Sequence, residues 1–477
     1  MPVSSKRRKK AQPETSAAAE PLWRRVRIRR IWLIRAAVFL LLTTFYQYAV
    51  RRTVGITGDE PHYLMTVLSL VTDGDFDETN NYAEGGPAKV GFPALHPQAR
   101  MPDGRILPEH GPGFPLFLVI PAAILGLANL KYILMAVMVA AALLLCAAAD
   151  RLLGNSRDGT IAGLVLIVLP VWQVFGPRIY PEVTAGTIAL LVYMLVTRPE
   201  AGPWSASIAG ALIGLLPVLY LRFCSFAVFL FAIALLNPRV RRSAGFVFWL
   251  GVVLLAGASL IFSIYGSDWH RAAPSSTGLT FVGSWERFWR LWFDRGHGIA
   301  AANPVLLLLF WAVPELCLRA IRNPRLRPIA VFGAMLFAYA YEFALAPTGS
   351  GESPPGRFLC AISAAALLVI LYWIAPAGRI LLARATAALA LAGVGAAILL
   401  HGIWNQTPAW LALPWYQDRF PIGWPMPSFT WRCHAHAGQS APLGALLLAV
   451  WALTASAGGL IHFLKTRRPT TLQSTTG

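Results

Sequence analysis

The chain has 477 residues, 56% of them hydrophobic and 13% charged, with a formal net charge of +19 and a mean hydropathy of +0.56. Repeated apolar runs of membrane-spanning length exclude a soluble globular protein and predict an all-α, polytopic helical membrane protein. The basic residues sit in short segments between those runs, so the charge reads as topological bias, and no nucleic acid is expected as a partner. Cys146, Cys224, Cys317, Cys360 and Cys433 are scattered and mostly apolar in setting, which implies no disulfide framework.

Residues 1–30 are polar and carry basic clusters at Lys6 to Lys10 and Arg24 to Arg30, the composition of a disordered cytoplasmic tail. Ile31 to Val50 predicts an uncleaved first helix running from inside to outside. A long polar outer loop follows, and Gly113 to Leu130 poses a question of parity. If that stretch spans, the basic segments 237–242, 319–327 and 465–468 all face outward; if it dips or lies at the interface, all of them are cytoplasmic. The positive-inside rule favours the second choice, and so does the broken start Pro108-Glu-His-Gly-Pro-Gly-Phe-Pro115, so residues 51–130 form one outer region.

The expected transmembrane domain, 31–464, then holds about twelve spans. They lie roughly at 31–50, 132–149, 159–176, 183–197, 205–221, 223–236, 244–265, 298–318, 328–346, 357–375, 384–402 and 441–464, with a cytoplasmic tail at 465–477. Two of these, 205–221 and 223–236, meet at Arg222 and require a turn in the outer leaflet. Every histidine but His462, and most carboxylates, fall on outer loops, so any chemistry is extracytoplasmic.

Four stretches carry that chemistry. Gly58-Asp-Glu-Pro-His-Tyr-Leu64 places adjacent carboxylates just past the first helix; Leu64, Val67, Leu68 and Val71 continue it as an amphipathic helix lying on the membrane surface, with Pro61 in its first turn. Asp59 there is either a helix cap or a general base with Glu60 or His62 beside it. In Gly176-Pro-Arg-Ile-Tyr-Pro-Glu182, Glu182 is a second acid with Arg178 as partner, or a charge suited to a helix N-terminus. Gly351-Glu-Ser-Pro-Pro-Gly-Arg-Phe358 sets Arg357 where it snorkels to headgroups or forks onto a phosphate, and Arg222 has the same two readings. Trp292-Phe-Asp-Arg-Gly-His-Gly298 offers Arg295 and His297 to an anionic headgroup, while Cys433-His-Ala-His436 reads as loop decoration rather than a metal site.

Together these stretches resemble the GT-C superfamily of integral-membrane glycosyltransferases, in particular bacterial relatives of protein O-mannosyltransferases and of the aminoarabinose transferase of lipid A. The resemblance covers about residues 31 to 375. It implies a sugar donor on a polyprenyl phosphate, passed with inversion to an acceptor hydroxyl at the outer face of the plasma membrane, and no nucleotide. Asp59 would be the base, Glu60 its support and Glu182 the second acid. Arg357, Arg222, Arg178 and Arg295, with His62, Tyr63, His110 and His297, would line the donor and lipid-phosphate site. No metal ligand is assigned, although Asp59 and Glu182 leave room to share a divalent cation. Residues Ile299 to Asn303 are smaller than the family pattern, and the chain carries no appended soluble domain, so a lipid, glycan or flexible peptide acceptor is expected over a folded protein. A transporter or flippase of lipid-linked sugars is the rival reading; it calls for inverted halves and midplane charges, which the sequence does not display.

Overall fold

The structure, a computed structural model, describes residues 22–51, 58–97, 99–154, 156–266, 281–293, 303–345 and 357–375. The expected helices 384–402 and 441–464, the 403–440 loop with Cys433, and residues 1–21 and 465–477 lie outside the described residues, as do Arg295 and His297.

Helix α1 (Leu22–Arg51) already begins inside the expected tail, so residues 22–30 are helical rather than disordered. The first loop holds α2 (Glu60–Thr72), the short turns α3 (Thr79–Ala83) and α4 (Gly86–Lys89), and a two-residue antiparallel pair, β1 (Ala99–Arg100) with β2 (Ile106–Leu107). Next come α5 (Gly113–Leu125), α6 (Leu130–Leu153), α7 (Ser156–Val168), α8 (Pro170–Phe175), α9 (Pro181–Val196), α10 (Pro203–Leu219), α11 (Cys224–Leu236), α12 (Pro238–Arg241) and α13 (Ala244–Tyr265). The last described elements are α14 (Ser284–Phe293), α15 (Leu309–Arg322), α16 (Arg327–Leu345), α17 (Arg357–Cys360) and α18 (Ser363–Ile374). Among the described residues the fold is all-helical apart from that small hairpin.

Among the described residues, four helical stretches are long and apolar enough to cross a membrane: Arg30–Tyr48, Leu127–Leu153, Ala244–Tyr265 and Pro324–Leu345. On α13 the outward face is apolar, with Val247 and Phe248 61% exposed and Leu255 71% exposed. A surface of that kind belongs against lipid rather than water. Helix α5 has 13 residues and so spans about 20 Å, less than the roughly 30 Å hydrocarbon core.

Prolines account for the breaks that the hydrophobic runs concealed. The expected span 159–176 divides at Leu169, whose ψ of 125° is the extended conformation forced on a residue before proline. Pro170 then opens α8 in the first turn, where its missing N–H costs nothing. The expected span 298–318 begins instead with a 3-10 turn at Pro304–Leu308, and 357–375 is interrupted between α17 and α18. Helix α10 ends at Leu219, Tyr220 is extended, and a 3-10 turn at Leu221–Phe223 leads into α11, as the parity of the chain required.

One expectation about α2 is corrected. Glu60 to Ser69 are buried almost without interruption, His62 excepted, so α2 is packed under its own loop and against α5 rather than lying on a membrane surface. Its Leu/Val periodicity marks a core face, while the opposite face is covered by residues 73–110. Tyr265 at the end of α13 donates to the Pro108 carbonyl at 2.7 Å, and the Glu78 N–H donates to Ile106 O at 2.8 Å, which closes that cover.

Elsewhere, close helix contact depends on small residues. The buried Arg35 of α1 is satisfied by Asp150 of α6 at 2.7 Å and Thr160 of α7 at 2.9 Å. Gly210 of α10 abuts the Phe246 carbonyl, and Gly186 of α9 abuts the Ala361 carbonyl beside α18. A Cβ at Gly186 would run into that backbone oxygen, so Gly186→Ala should cost about 1–3 kcal/mol, the usual range for overpacking. Gly251 on α13 has open space around it, and Gly251→Ala should be neutral or slightly stabilising. Thermal unfolding of both variants in detergent micelles checks the contrast; equal melting temperatures would show that α9 yields at that contact.

Candidate active site

Asp59 sits at the N-cap position of α2, yet its side chain makes no capping hydrogen bond. Its carboxylate turns instead to the bundle. Oδ2 accepts from Arg357 Nη2 at 2.6 Å, and Oδ1 lies 3.5 Å from Nε2 of His110. Arg357 Nε donates to Glu182 Oε1 at 3.2 Å, so one guanidinium bridges the two acids. Beneath it lies the ring of Tyr180, with the guanidinium carbon 3.9 Å from the ring centroid. Arg357, Glu182 and Tyr180 are 5%, 4% and 1% exposed. The capping reading of Asp59 and the snorkelling reading of Arg357 both fail against this arrangement.

The neighbouring acid goes elsewhere. Glu60 accepts from Arg178 Nη1 at 3.1 Å and from the Ile179 N–H at 3.2 Å, and Arg178 Nε also donates to Val174 O. Arg178 therefore partners Glu60 and not Glu182, contrary to the expected pairing. Glu60 ties the first turn of α2 to the turn before α9, which sets Asp59 and Glu182 in register rather than supporting Asp59 directly. Gly58 completes the junction: its φ is +59°, and a Cβ there would stand 2.9 Å from the Tyr180 hydroxyl. Only glycine fits both conditions.

Three expected residues join the periphery. Tyr63 packs its ring 5.2 Å from His110 and 5.3 Å from Phe114. Across from His110, at 6.1 Å between ring centroids, is His62. Arg222 places its guanidinium over Tyr220 and Phe343 at 5.2 and 5.0 Å, beside the Tyr220 that also faces His110. Tyr180, Tyr220, Glu78 and Glu109 were not singled out in the sequence. Tyr180 stood inside a motif already noted, whereas Glu78 and Glu109 carry no local signal.

Electrostatics distinguish the acids. Burial alone would raise the pKa of Asp59, but the charges and hydrogen bonds of Arg357 and His110 outweigh it and hold the carboxyl well below the usual carboxylate range. Burial, then the neighbouring His110, pushes His62 down to about 4, against the pull of Asp59. Burial raises Glu109, and it raises Glu78 to about 8 although Thr66 donates to Glu78 Oε1 at 2.6 Å. Asp59 and Glu182 both converge on a guanidinium, which fills the place a shared cation would need. Among the described residues no group of three or more metal-ligating side chains is found.

No family model matches the chain, and no curated protein matches it. Among solved structures, the chain is similar to ArnT from Cupriavidus metallidurans bound to undecaprenyl phosphate, with 15% identity, 80% of this chain and 75% of that chain covered, and a TM-score of 0.48. The apo state of the same protein gives 16% identity, coverage of 80% and 76%, and a TM-score of 0.46. The archaeal oligosaccharyltransferase AglB from Archaeoglobus fulgidus, in complex with an inhibitory peptide and a dolichol-phosphate, gives 14% identity, coverage of 87% and 62%, and a TM-score of 0.42. Likeness at this level assigns no residue a role.

Glu78 offers a test of the electrostatics. Its native pKa of about 8 lies above the ordinary 4.5, so between those values the native state binds more protons than the unfolded state, and stability falls as pH rises. Glu78→Gln removes that penalty. Its melting temperature in detergent should match wild type near pH 4.5 and exceed it by a margin that grows to about pH 8 and then stays level. A constant offset across that range would mean Glu78 is ionised throughout.

Proposed function

We propose that the chain is a membrane glycosyltransferase that moves a sugar from a polyprenyl-phosphate donor to an acceptor hydroxyl, with the site at the extracytoplasmic face. The observation that carries this reading is the buried Arg357 bridging Asp59 and Glu182 at the meeting of α2, α9 and α17, in a bundle with lipid-compatible walls. Loss of a polyprenyl phosphate puts negative charge on its oxygen, and a fixed guanidinium in a poorly hydrated site stabilises that charge without reorganisation. Arg357 holds the leaving phosphate, with Arg222 on the adjoining turn. Asp59, kept ionised by its partners, drives removal of the acceptor proton. Glu182 orients the donor sugar, and Glu60 with Arg178 holds the two acids in register. Attack from the side opposite the phosphate inverts the anomeric centre.

The placement of the site also bears on the rival transporter reading. A transporter calls for inverted halves with midplane charges, whereas an arginine clamped by two carboxylates has a direct use as the seat of a leaving phosphate. Acceptors bound in such a site are lipids, glycans or flexible segments rather than folded domains, and the donor chain lies in the surrounding bilayer.

The test is transfer of radiolabelled sugar from a panel of polyprenyl-phosphate sugars, in membranes carrying wild type or Asp59→Asn. Wild type should transfer from at least one donor, and Asp59→Asn should lose about 100- to 10,000-fold, the range for a lost proton acceptor, while undecaprenyl phosphate still binds. Arg357→Ala should lose transfer and weaken undecaprenyl phosphate binding together. Equal activity of Asp59→Asn would move the chemistry to Glu182. Sugar-lipid movement across the bilayer without transfer, in wild type and variant alike, would sink the transferase reading in favour of a flippase.

A further inference from the structure

One short pattern occurs twice in the chain, as Asn-Pro-Arg-Val-Arg at 237–241 and Asn-Pro-Arg-Leu-Arg at 323–327. Both copies build the same turn. The Asn237 side-chain oxygen accepts from the Arg239 N–H at 3.0 Å and that of Asn323 from the Arg325 N–H at 3.1 Å, each with proline in the first helical turn. Val240 is buried and Leu326 half-buried, while Arg239, Arg241, Arg242, Arg325 and Arg327 are all exposed. The apolar residue pins each turn to the bundle, and the guanidinium groups are left outside.

Packing brings the two turns to one end of the molecule. Arg222 lies over Phe343 at 5.0 Å, and Phe226, a turn further along α11, is 4.6 Å from Tyr339, a turn earlier in α16. The two helices therefore run antiparallel, and the end of α11 at Leu236 falls level with the start of α16 at Arg327. Asn237 Nδ2 also donates to the Val196 and Arg198 carbonyls at 2.8 and 3.1 Å, which ties the first turn to the end of α9. Glu182 opens that same helix, whose 16 residues measure about 24 Å. The arginine turns and the Arg357 site thus lie at opposite ends of the helices they share.

Neither turn contains an acid, and among the described residues none of the five arginines pairs with a carboxylate. Glu315 of the adjoining α15 is already taken by Arg319 and Trp373. A bias of charge across the membrane asks only for cations in a loop. It does not ask that a capped turn be built twice and gathered at one place. Nor do the cations serve the helices: Arg242 stands just before α13 and Arg327 opens α16, where the helix dipole disfavours positive charge. The surface beside them is apolar. Gly245 of α13 lies against Ser207 of α10, so the first turns of these helices adjoin, with Val247 and Phe248 exposed on one and Trp204, 83% exposed, on the other. A wall of that kind, rimmed by an indole and topped by arginines, matches the layering of a phospholipid: acyl chain, interface, phosphate.

We propose that the two Asn-Pro-Arg turns together form a binding site for an anionic phospholipid of the leaflet opposite the Arg357 site. The guanidinium groups of both turns hold its phosphodiester, and its acyl chains lie along the apolar face of α13. This inference is independent of the transferase reading.

The experiment titrates the purified full chain in detergent with phosphatidylglycerol or phosphatidylcholine and counts bound lipid by native mass spectrometry, so that direction of insertion plays no part. Phosphatidylglycerol should be retained in preference to phosphatidylcholine, and equal retention would overturn the site. Arg239→Gln/Arg241→Gln/Arg242→Gln and Arg325→Gln/Arg327→Gln should each weaken phosphatidylglycerol binding by about tenfold or more, with the lipid-free melting temperature unchanged. Unaltered binding in both variants would overturn the proposal. Lys6→Gln/Lys9→Gln/Lys10→Gln removes three cations from the first residues of the chain and should leave binding as it is; an equal loss there would mean bulk attraction in place of a built site. Inorganic phosphate offers the same anionic oxygens without acyl chains and should not displace the lipid, whereas ready displacement would overturn a lipid as the occupant.

Discussion

The site depends on the neutralisation of one buried guanidinium. Arg357 comes from a short helical turn late in the described chain, and its two carboxylates come from positions 298 and 175 residues earlier. A cation this far from water is tolerated only when paired and hydrogen-bonded, and removing a single partner from such a set typically costs about 3–5 kcal/mol. The starts of α2, α9 and α17 are therefore held in one geometry by electrostatic necessity, and the aromatic face of Tyr180 fixes the plane of the fork. A fixed distance between three chain-distant segments needs no covalent link when an unpaired charge is the alternative.

The first loop is built around that requirement. Gly58 lets the backbone turn under Tyr180, Glu60 clamps the neighbouring turn through Arg178 and the Ile179 N–H, and the cover of residues 73–110 is fastened to α13 through Tyr265. Each device also removes water from the carboxylates. Adjacent acids in the sequence thus serve different ends: Asp59 faces Arg357 and His110, while Glu60 is consumed in holding the frame. Two like charges side by side on the chain are accommodated because each meets its own cation.

Much of this was legible in the sequence, for reasons that differ by level. Apolar runs showed the helices because lipid-facing and buried residues are both hydrophobic, and the same fact hid the breaks at Leu169 and at Pro304, where only the prolines gave notice. Asp59, Glu182 and Arg357 stood out as charges at helix ends. Their mutual contact did not, since nothing local encodes a pairing across 298 residues. Arg178 was assigned to Glu182 because it is near in sequence, but the turn between them directs its guanidinium to Glu60. The periodicity of α2 was read as one face on a membrane, although the other side is covered by chain that has no hydrophobic pattern of its own. Glu78 illustrates the limit best: an ordinary loop glutamate is pushed toward its protonated form only once the folded loop buries it, against the hydrogen bond from Thr66.

On the proposed reading, the pairing of Asp59 with Arg357 has a mechanistic consequence. Arg357 lies over Tyr180 and Arg222 over Tyr220, which also faces His110. Asp59 turns one oxygen to Arg357 and the other toward His110. A phosphate arriving at Arg357 competes with Asp59 for the same N–H groups, and each contact the carboxylate loses raises its basicity. Donor binding would then switch on the group that deprotonates the acceptor, and before the donor arrives Asp59 would remain locked as a spectator anion.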